Sequence, residues 1–169
     1  TKEEDTVAQL FVANTHDNLL FFTNRGRVFQ LKVYDLPESS RISKGVAIVN
    51  LLDLLSEEKV LSILPVKKHK DQTQNKTKFV LMATKMGVIK KTAIAAYDSI
   101  RRSGIIAIKL TGGDQLRWAK LTTGEDIVFL VSKHGMSIKF DEKNVRPMAR
   151  DTMGVRGIKL KKEDELIGM

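Results

Sequence analysis

In this chain of 169 residues arginine stands shortly before three glycines that each open a similar Gly-Val/Ile stretch: Arg41 four positions ahead of Gly45, Arg101 and Arg102 just ahead of Gly104, and Arg150 four ahead of Gly154. One such arginine is ordinarily a solvated loop charge. Three at equivalent places make a repeated arc of cations beside loop amides, which suits a phosphate backbone held without reading of its bases. Catalysis would have to draw on His16, His69 and His134. His16 falls at a strand junction, His69 in a polar loop, and His134 at a hairpin tip where the other copies carry Arg25 and Met86, so they read as surface residues rather than a catalytic set. No metal-ligand spacing emerges, and the chain has no cysteine, which excludes disulfides, zinc-thiolate sites and a cysteine nucleophile. No cofactor is expected, and no enzymatic activity of the chain by itself.

The elements that position these arginines are repeated too. The segments NLLFFTNRGRVFQLK (18–32), KFVLMATKMGVIKKT (78–92) and DIVFLVSKHGMSIKF (126–140) share an apolar run, then Thr or Ser, two variable residues and a glycine: Gly26, Gly87 or Gly135. Each is followed by a second shared piece, GVAIVNL (45–51), GIIAIKL (104–110) or GVRGIKL (154–160), with the two glycines 19, 17 and 19 positions apart. A strand, a four-residue turn closed by a glycine at positive φ, and a second strand make a hairpin. A phosphate-binding loop would instead lead into a helix. Beyond the turn glycine the odd positions are mainly apolar, although Arg27 and Thr92 are polar and Lys90 breaks the rule mid-strand, and the fourth is always polar (Gln30, Lys91, Lys139), as in a half-buried strand.

Further strands are predicted at 6–13, 60–66 and 115–121 and in DELIGM at the end, and helix is scarce. About four short strands per unit of roughly 50 residues point to propeller blades. The expected fold is therefore all-β and propeller-like: three antiparallel, four-stranded blades in an open arc whose free edges invite self-association. The units run over 1–52, 53–110 (with an exposed insertion at 67–78) and 111–160, and 161–169 begins a further one.

The net charge is +9, and it is unevenly placed. The repeat cores (18–52, 78–110 and 125–160) hold 19 of the 29 Lys and Arg but 8 of the 20 Asp and Glu, a net +11 that leaves −2 for the connectors. Positive charge thus belongs to the repeated element, as a polyanion-binding surface requires. One Trp and two Tyr argue against stacking on single-stranded bases. Apolar runs such as LLFF (19–22) fall far short of a membrane span.

THDNLLFFTNRGRVFQLK (15–32), YDLPESSRISKG (34–45) and RPMARDTMGVRGIKL (146–160) resemble the C-terminal domain of bacterial DNA gyrase A. The resemblance implies a β-pinwheel, usually a six-bladed ring, that wraps duplex DNA on its basic outer rim and so supports ATP-dependent negative supercoiling by the holoenzyme. It implies a bacterial cytoplasmic, nucleoid-associated setting, with the remainder of gyrase A, and gyrase B, as protein partners. The expected DNA-binding residues are Arg41, Lys44, Arg101, Arg102, Arg146 and Arg150, with polar-face Lys91 and Lys139; Gly26, Gly45, Gly87, Gly104, Gly135 and Gly154 are the structural turn glycines. Arg25 and Arg27, at the hairpin tip, are expected to meet a neighbouring blade instead. The family's Gln-Arg-Arg-Gly-Gly-Lys-Gly box is matched only in part: SSRISKG at Arg41, Lys44 and Gly45, MARDTMG at Arg150 and Gly154, and DSIRRSG at Gly104. DNA binding is implied, and autonomous full wrapping is not. The equivalent domain of topoisomerase IV, whose boxes are degenerate, and a protein-binding propeller are the alternatives.

Overall fold

The computed structural model describes Val7 and residues 9–67 and 78–169; His69 and nearly all of the expected insertion at 67–78 lie outside them. The strands are β1 (Asn18–Thr23), β2 (Arg27–Lys32), β3 (Val60–Val66), β4 (Phe79–Thr84), β5 (Val88–Ala93), β6 (Ile105–Ile106), β7 (Leu116–Thr122), β8 (Ile127–Ser132), β9 (Ser137–Asp141), β10 (Val155–Arg156) and β11 (Leu166–Gly168). They form three antiparallel sheets of order β3-β1-β2-β6, β10-β5-β4-β7 and β11-β8-β9. Among the described residues the third has three strands, where four are expected. The described part of the expected strand at 6–13 forms no strand. A side chain reaches the edge of β3 there instead, the Gln9 amide donating to the Ile63 carbonyl at 2.9 Å.

The repeated Thr/Ser-x-x-Gly is explained by its hydrogen bonds. The glycine N–H donates to the carbonyl of the first turn residue (Gly26 to Thr23, 3.0 Å; Gly87 to Thr84, 3.1 Å; Gly135 to Ser132, 3.0 Å). The hydroxyl of that first residue accepts from the N–H four positions on: Arg27, Val88 or Met136. The three glycines have φ of 73°, 79° and 83°, which a residue bearing Cβ adopts only at a cost.

Each of the first two sheets takes its last strand from farther along the chain. In the first, β6 pairs with β2 (Arg27 opposite Ile106), and the N–H groups of Ala107 and Ile108 donate to Gly26 O at 2.8 and 3.1 Å. In the second, β10 pairs with β5 (Val88 opposite Arg156), and Gly157 and Ile158 donate to Gly87 O at 2.9 and 3.3 Å. At the opposite side the sheets converge, with Ser62 Oγ on β3 donating to Ala119 O on β7 at 2.8 Å. β3 and β7 are thus inner strands, and β6 and β10 outer ones.

Packing follows the two-residue period of the strands. Leu20 and Phe22 of the first sheet meet Val80 and Met82 of the second in one apolar cluster, while Leu81 and Ala83, on the second sheet's other face, meet Val128 and Leu130 of the third. The middle sheet is therefore covered on both faces, which is why β4 reads as an unbroken apolar run. Lys90 occupies this double-sided core in regular register, opposite Met82. It is 0% exposed, and its ammonium donates to the carbonyls of Ala107 (2.8 Å), Thr152 (3.2 Å) and Arg150. Burial pushes its pKa down to about 8, opposed by Asp151 and assisted by Arg150.

Candidate nucleic-acid interface

Three loops carry the expected DNA-binding arginines, and each begins at a short 3-10 turn: Val33–Asp35, Ile94–Tyr97 or Glu142–Asn144. The second and third loops end on an outer strand of the preceding sheet, and their backbones are pinned there. Gly104 (φ +74°) lies so close to the Phe29 ring that a Cβ would come within 2.8 Å of it. Arg27 reaches across to the Ser103 carbonyl. In the third loop Met148 N–H donates to Lys91 O at 2.8 Å, Lys109 N–H to Thr152 O at 3.0 Å, and Lys90 takes the carbonyls of Arg150 and Thr152. A groove lined by Ala96, Ile105, Ile106, Ala149, Arg150 and Asp151 joins these two loops. In the first loop a turn is closed by Ser43, whose N–H and Oγ both donate to Ser40 O, at 3.0 and 2.7 Å.

From these loops Arg41, Lys44, Arg101, Arg102 and Arg146 project into solvent, Arg150 is half-buried, and Lys139 is exposed on β9. None of the seven takes part in the ion pairs found among the described residues. Lys91 differs. It is 3% exposed, and its ammonium donates to Glu142 O at 2.9 Å, lies 3.8 Å from Glu142 Oε1 and sits 5.0 Å above the Phe79 ring. The expected DNA-facing role of Lys91 is withdrawn: the middle sheet has no solvent-facing side, so its polar position points into a core.

The hairpin tips spend their charge internally. Arg27 pairs with buried Glu58 at 2.6 Å and stacks 4.7 Å over Phe29, while Arg25 donates to Ser56 O at 2.9 Å. Glu58 also accepts from Thr23 Oγ1 at 2.6 Å and from Leu55 N–H at 2.9 Å. Corresponding acids serve the other tips: Asp114 accepts from Met86 N–H at 2.9 Å, and Asp164 from Ser132 Oγ at 2.6 Å and His134 N–H at 3.0 Å. Desolvation would raise the Asp164 pKa, but these bonds and a third from Glu165 N–H hold it below the usual carboxylate value. Sequence reasoning missed these acids, although each stands two residues before an inner strand, ahead of Val60, Leu116 and Leu166. The two described histidines do not converge: His16 packs edge-on to Tyr34, with ring centroids 6.2 Å apart, and His134 lies 3.9 Å from Asp164. Among the described residues, no cluster of His, Cys, Asp and Glu could hold a metal, and no helix is long and apolar enough to cross a membrane.

These features define a propeller-like array of antiparallel sheets whose outer strands are entered through cation-bearing loops. The chain belongs to the family described as "DNA gyrase C-terminal domain, beta-propeller", which it matches over residues 17–67, 78–123 and 126–169. It is 45% identical to the DNA gyrase A protein of Escherichia coli (strain K12) over 168 residues, which are 99% of this chain and 19% of that protein. Among solved structures it is similar to the C-terminal domain of DNA topoisomerase IV (TM-score 0.82, 31% identity, 91% of this chain and 46% of that one). It is also similar to a DNA gyrase A C-terminal domain (TM-score 0.69, 27% identity, 92% and 48%). The chain spans about a fifth of the length of the curated relatives it matches.

Proposed function

We propose that the chain binds duplex DNA without sequence preference and bends or wraps it as part of the C-terminal domain of a gyrase A protein. In that role it supports ATP-dependent negative supercoiling by a holoenzyme whose chemistry resides in the remainder of gyrase A and in gyrase B, in the bacterial cytoplasm. The observation that carries the reading is the set of cations on equivalent loops that take no part in the ion pairs among the described residues, in a chain of this family. Bending a site of 20 to 30 base pairs by 40 to 90° costs of order 1 to 6 kcal/mol, so several phosphate contacts must act together to offset it. The likeness to the topoisomerase IV domain favours, as a second reading, the equivalent domain of that enzyme, with DNA on the same loops.

The test is the salt dependence of duplex binding. Each phosphate contact contributes about −0.9 to the slope of log affinity against log salt, so about four contacts lower affinity about 150-fold between 50 and 200 mM salt. Two duplexes of unrelated sequence should give the same slope. Binding that is indifferent to salt would contradict the reading and favour an apolar, protein-binding groove.

A further inference from the structure

Lys90 is a cation at an apolar place, and its counterparts show what that place does. It stands third after the turn glycine, where the first copy has Phe29 and the third Ile138. In the first sheet this position meets the loop that delivers the outer strand: the Phe29 ring lies against Gly104, which leads into β6. In the second sheet Lys90 meets the corresponding loop by hydrogen bonds instead, its ammonium donating to the Arg150 and Thr152 carbonyls shortly before β10. Its remaining bond goes to Ala107 O at 2.8 Å, in the segment that leaves β6 and is itself held by Gly26 O. An ammonium has three donors, and here all three are engaged. One side chain thus ties the third cation-bearing loop to the stretch that follows the second. Two backbone bonds anchor the third loop on either side of Arg150, Met148 N–H on Lys91 O at 2.8 Å and Lys109 N–H on Thr152 O at 3.0 Å. Arg150 itself is fastened by Lys90, at its carbonyl. Its side chain lines, with Ile105 and Ile106, the groove between the two loops, and takes no part in the ion pairs among the described residues.

We propose that Lys90 is a positioning residue for duplex binding: by holding the carbonyls of Arg150 and Ala107 on one ammonium, it fixes where Arg150 stands relative to Arg101 and Arg102 across the groove. The inference rests on the proposed DNA binding by these loops. Lys90 is 0% exposed, so it touches no phosphate and acts through Arg150. The phosphates of a duplex lie at set spacings, and a loop held ready at that spacing spends less of its binding energy on ordering than one that must be arranged on contact. A ring at this place packs against the loop, as Phe29 does, but it cannot hold two chain segments by their carbonyls. Methionine at position 90 fills the core and releases both segments. The turn that carries Arg150, closed by Thr152 Oγ1 on Ala149 O at 2.9 Å, is then free to shift as a unit against the second loop.

A cycle of variants, titrated with a duplex at several salt concentrations well below each Tm, tests this, with circular dichroism checking the fold. Loss of one phosphate contact makes the log-log salt slope shallower by about 0.9. Lys90→Met should show that change although the charge it removes is buried, and Arg150→Gln should show the same. The double variant should lose no more than either alone, because Lys90 acts through Arg150. Met82→Ala is the control for lost stability. Met82 lies opposite Lys90, buried in the same core, and its truncation leaves a cavity but removes no donor, so the slope should stay at the wild-type value. Should the methionine variant not fold, Lys90→Gln, which keeps an amide donor on a shorter stem, takes its place with the same expectation. A folded Lys90 variant with the wild-type slope, additive losses in the double variant, an equal loss in Met82→Ala, or failure of both Lys90 variants to fold beside a folded Met82→Ala would overturn the proposal and leave Lys90 a bracket for stability alone. Each of these outcomes spares the DNA-binding reading. Wild-type binding that is indifferent to salt would instead overturn that reading, and this inference with it.

Discussion

Replacing Arg41, Arg101, Arg102 and Arg150 together with glutamine is expected to remove most duplex affinity while the chain stays folded. The first three guanidinium groups project into solvent, the fourth is half-buried at the groove, and none takes part in the ion pairs among the described residues. The carbonyls of the second and third loops, which do form bonds within the protein, are unchanged by the substitution. Four lost phosphate contacts should make the log-log salt slope shallower by about 3.6, equally for any duplex sequence. Anisotropy titrations at several salt concentrations read the slope, and circular dichroism checks the fold. Arg25→Gln is the matched control: its guanidinium is committed to Ser56 O, so the slope should stay at the wild-type value. Arg27 is unsuitable as a control, because its loss leaves buried Glu58 without its cation and would unsettle the fold. A folded quadruple variant with wild-type affinity and slope would assign the loop charge to solvation alone.

Lys90→Met should be the most destabilising single substitution in the middle sheet. The methionine stem fills the space, but no donor then reaches the carbonyls of Ala107 and Arg150, whereas Thr152 O keeps its bond from Lys109 N–H. A buried carbonyl without a partner costs about 1 to 3 kcal/mol, and the partly buried Arg150 carbonyl adds to that. For a chain of this size that lowers Tm by roughly 5 to 20 °C. The effect should also depend on pH. With its folded pKa lowered to about 8, Lys90 binds a proton less readily than in the unfolded chain, where the value is about 10.4. Between these values the unfolded state holds more protons, so this residue's contribution makes the wild type more stable as pH rises from about 8 toward 10.4 and less stable as pH falls back. The methionine variant lacks that contribution, so the gap in stability between the two should widen with rising pH. Equal Tm values for wild type and variant at both ends of the range would remove Lys90 from its place as the bracket between sheets.

The hairpins were legible because their signal is local: a hydroxyl, two free positions and a glycine are what the turn's own hydrogen bonds require. Membership of the sheets was not. β6 and β10 are each two residues long and join a strand of the preceding repeat, so repeats that look self-contained in sequence contribute strands to one another in space. Lys91 shows a second limit. A polar residue at an alternating position reads as solvent-facing when one face of a sheet is exposed, and that premise fails for a sheet packed on both sides. Glu58, Asp114 and Asp164 show a missed opportunity rather than a limit, for their shared spacing before β3, β7 and β11 was present in the sequence. The basic tip of FFTNRGRVFQLK is expected from the sequence to meet a neighbouring blade, and Arg27 does so, fastening Glu58 on one side and Ser103 on the other.

Where duplex DNA lies on the chain is the central question, and amide hydrogen exchange measured with and without a duplex answers it most directly. Exchange should slow in the three cation-bearing loops, at 38–45, 99–104 and 146–154, and remain unchanged at the hairpin tips, at 23–26, 84–87 and 132–135. Protection confined to the tips and the inner strands, with the three loops exchanging as they do without DNA, would contradict an outer-loop interface.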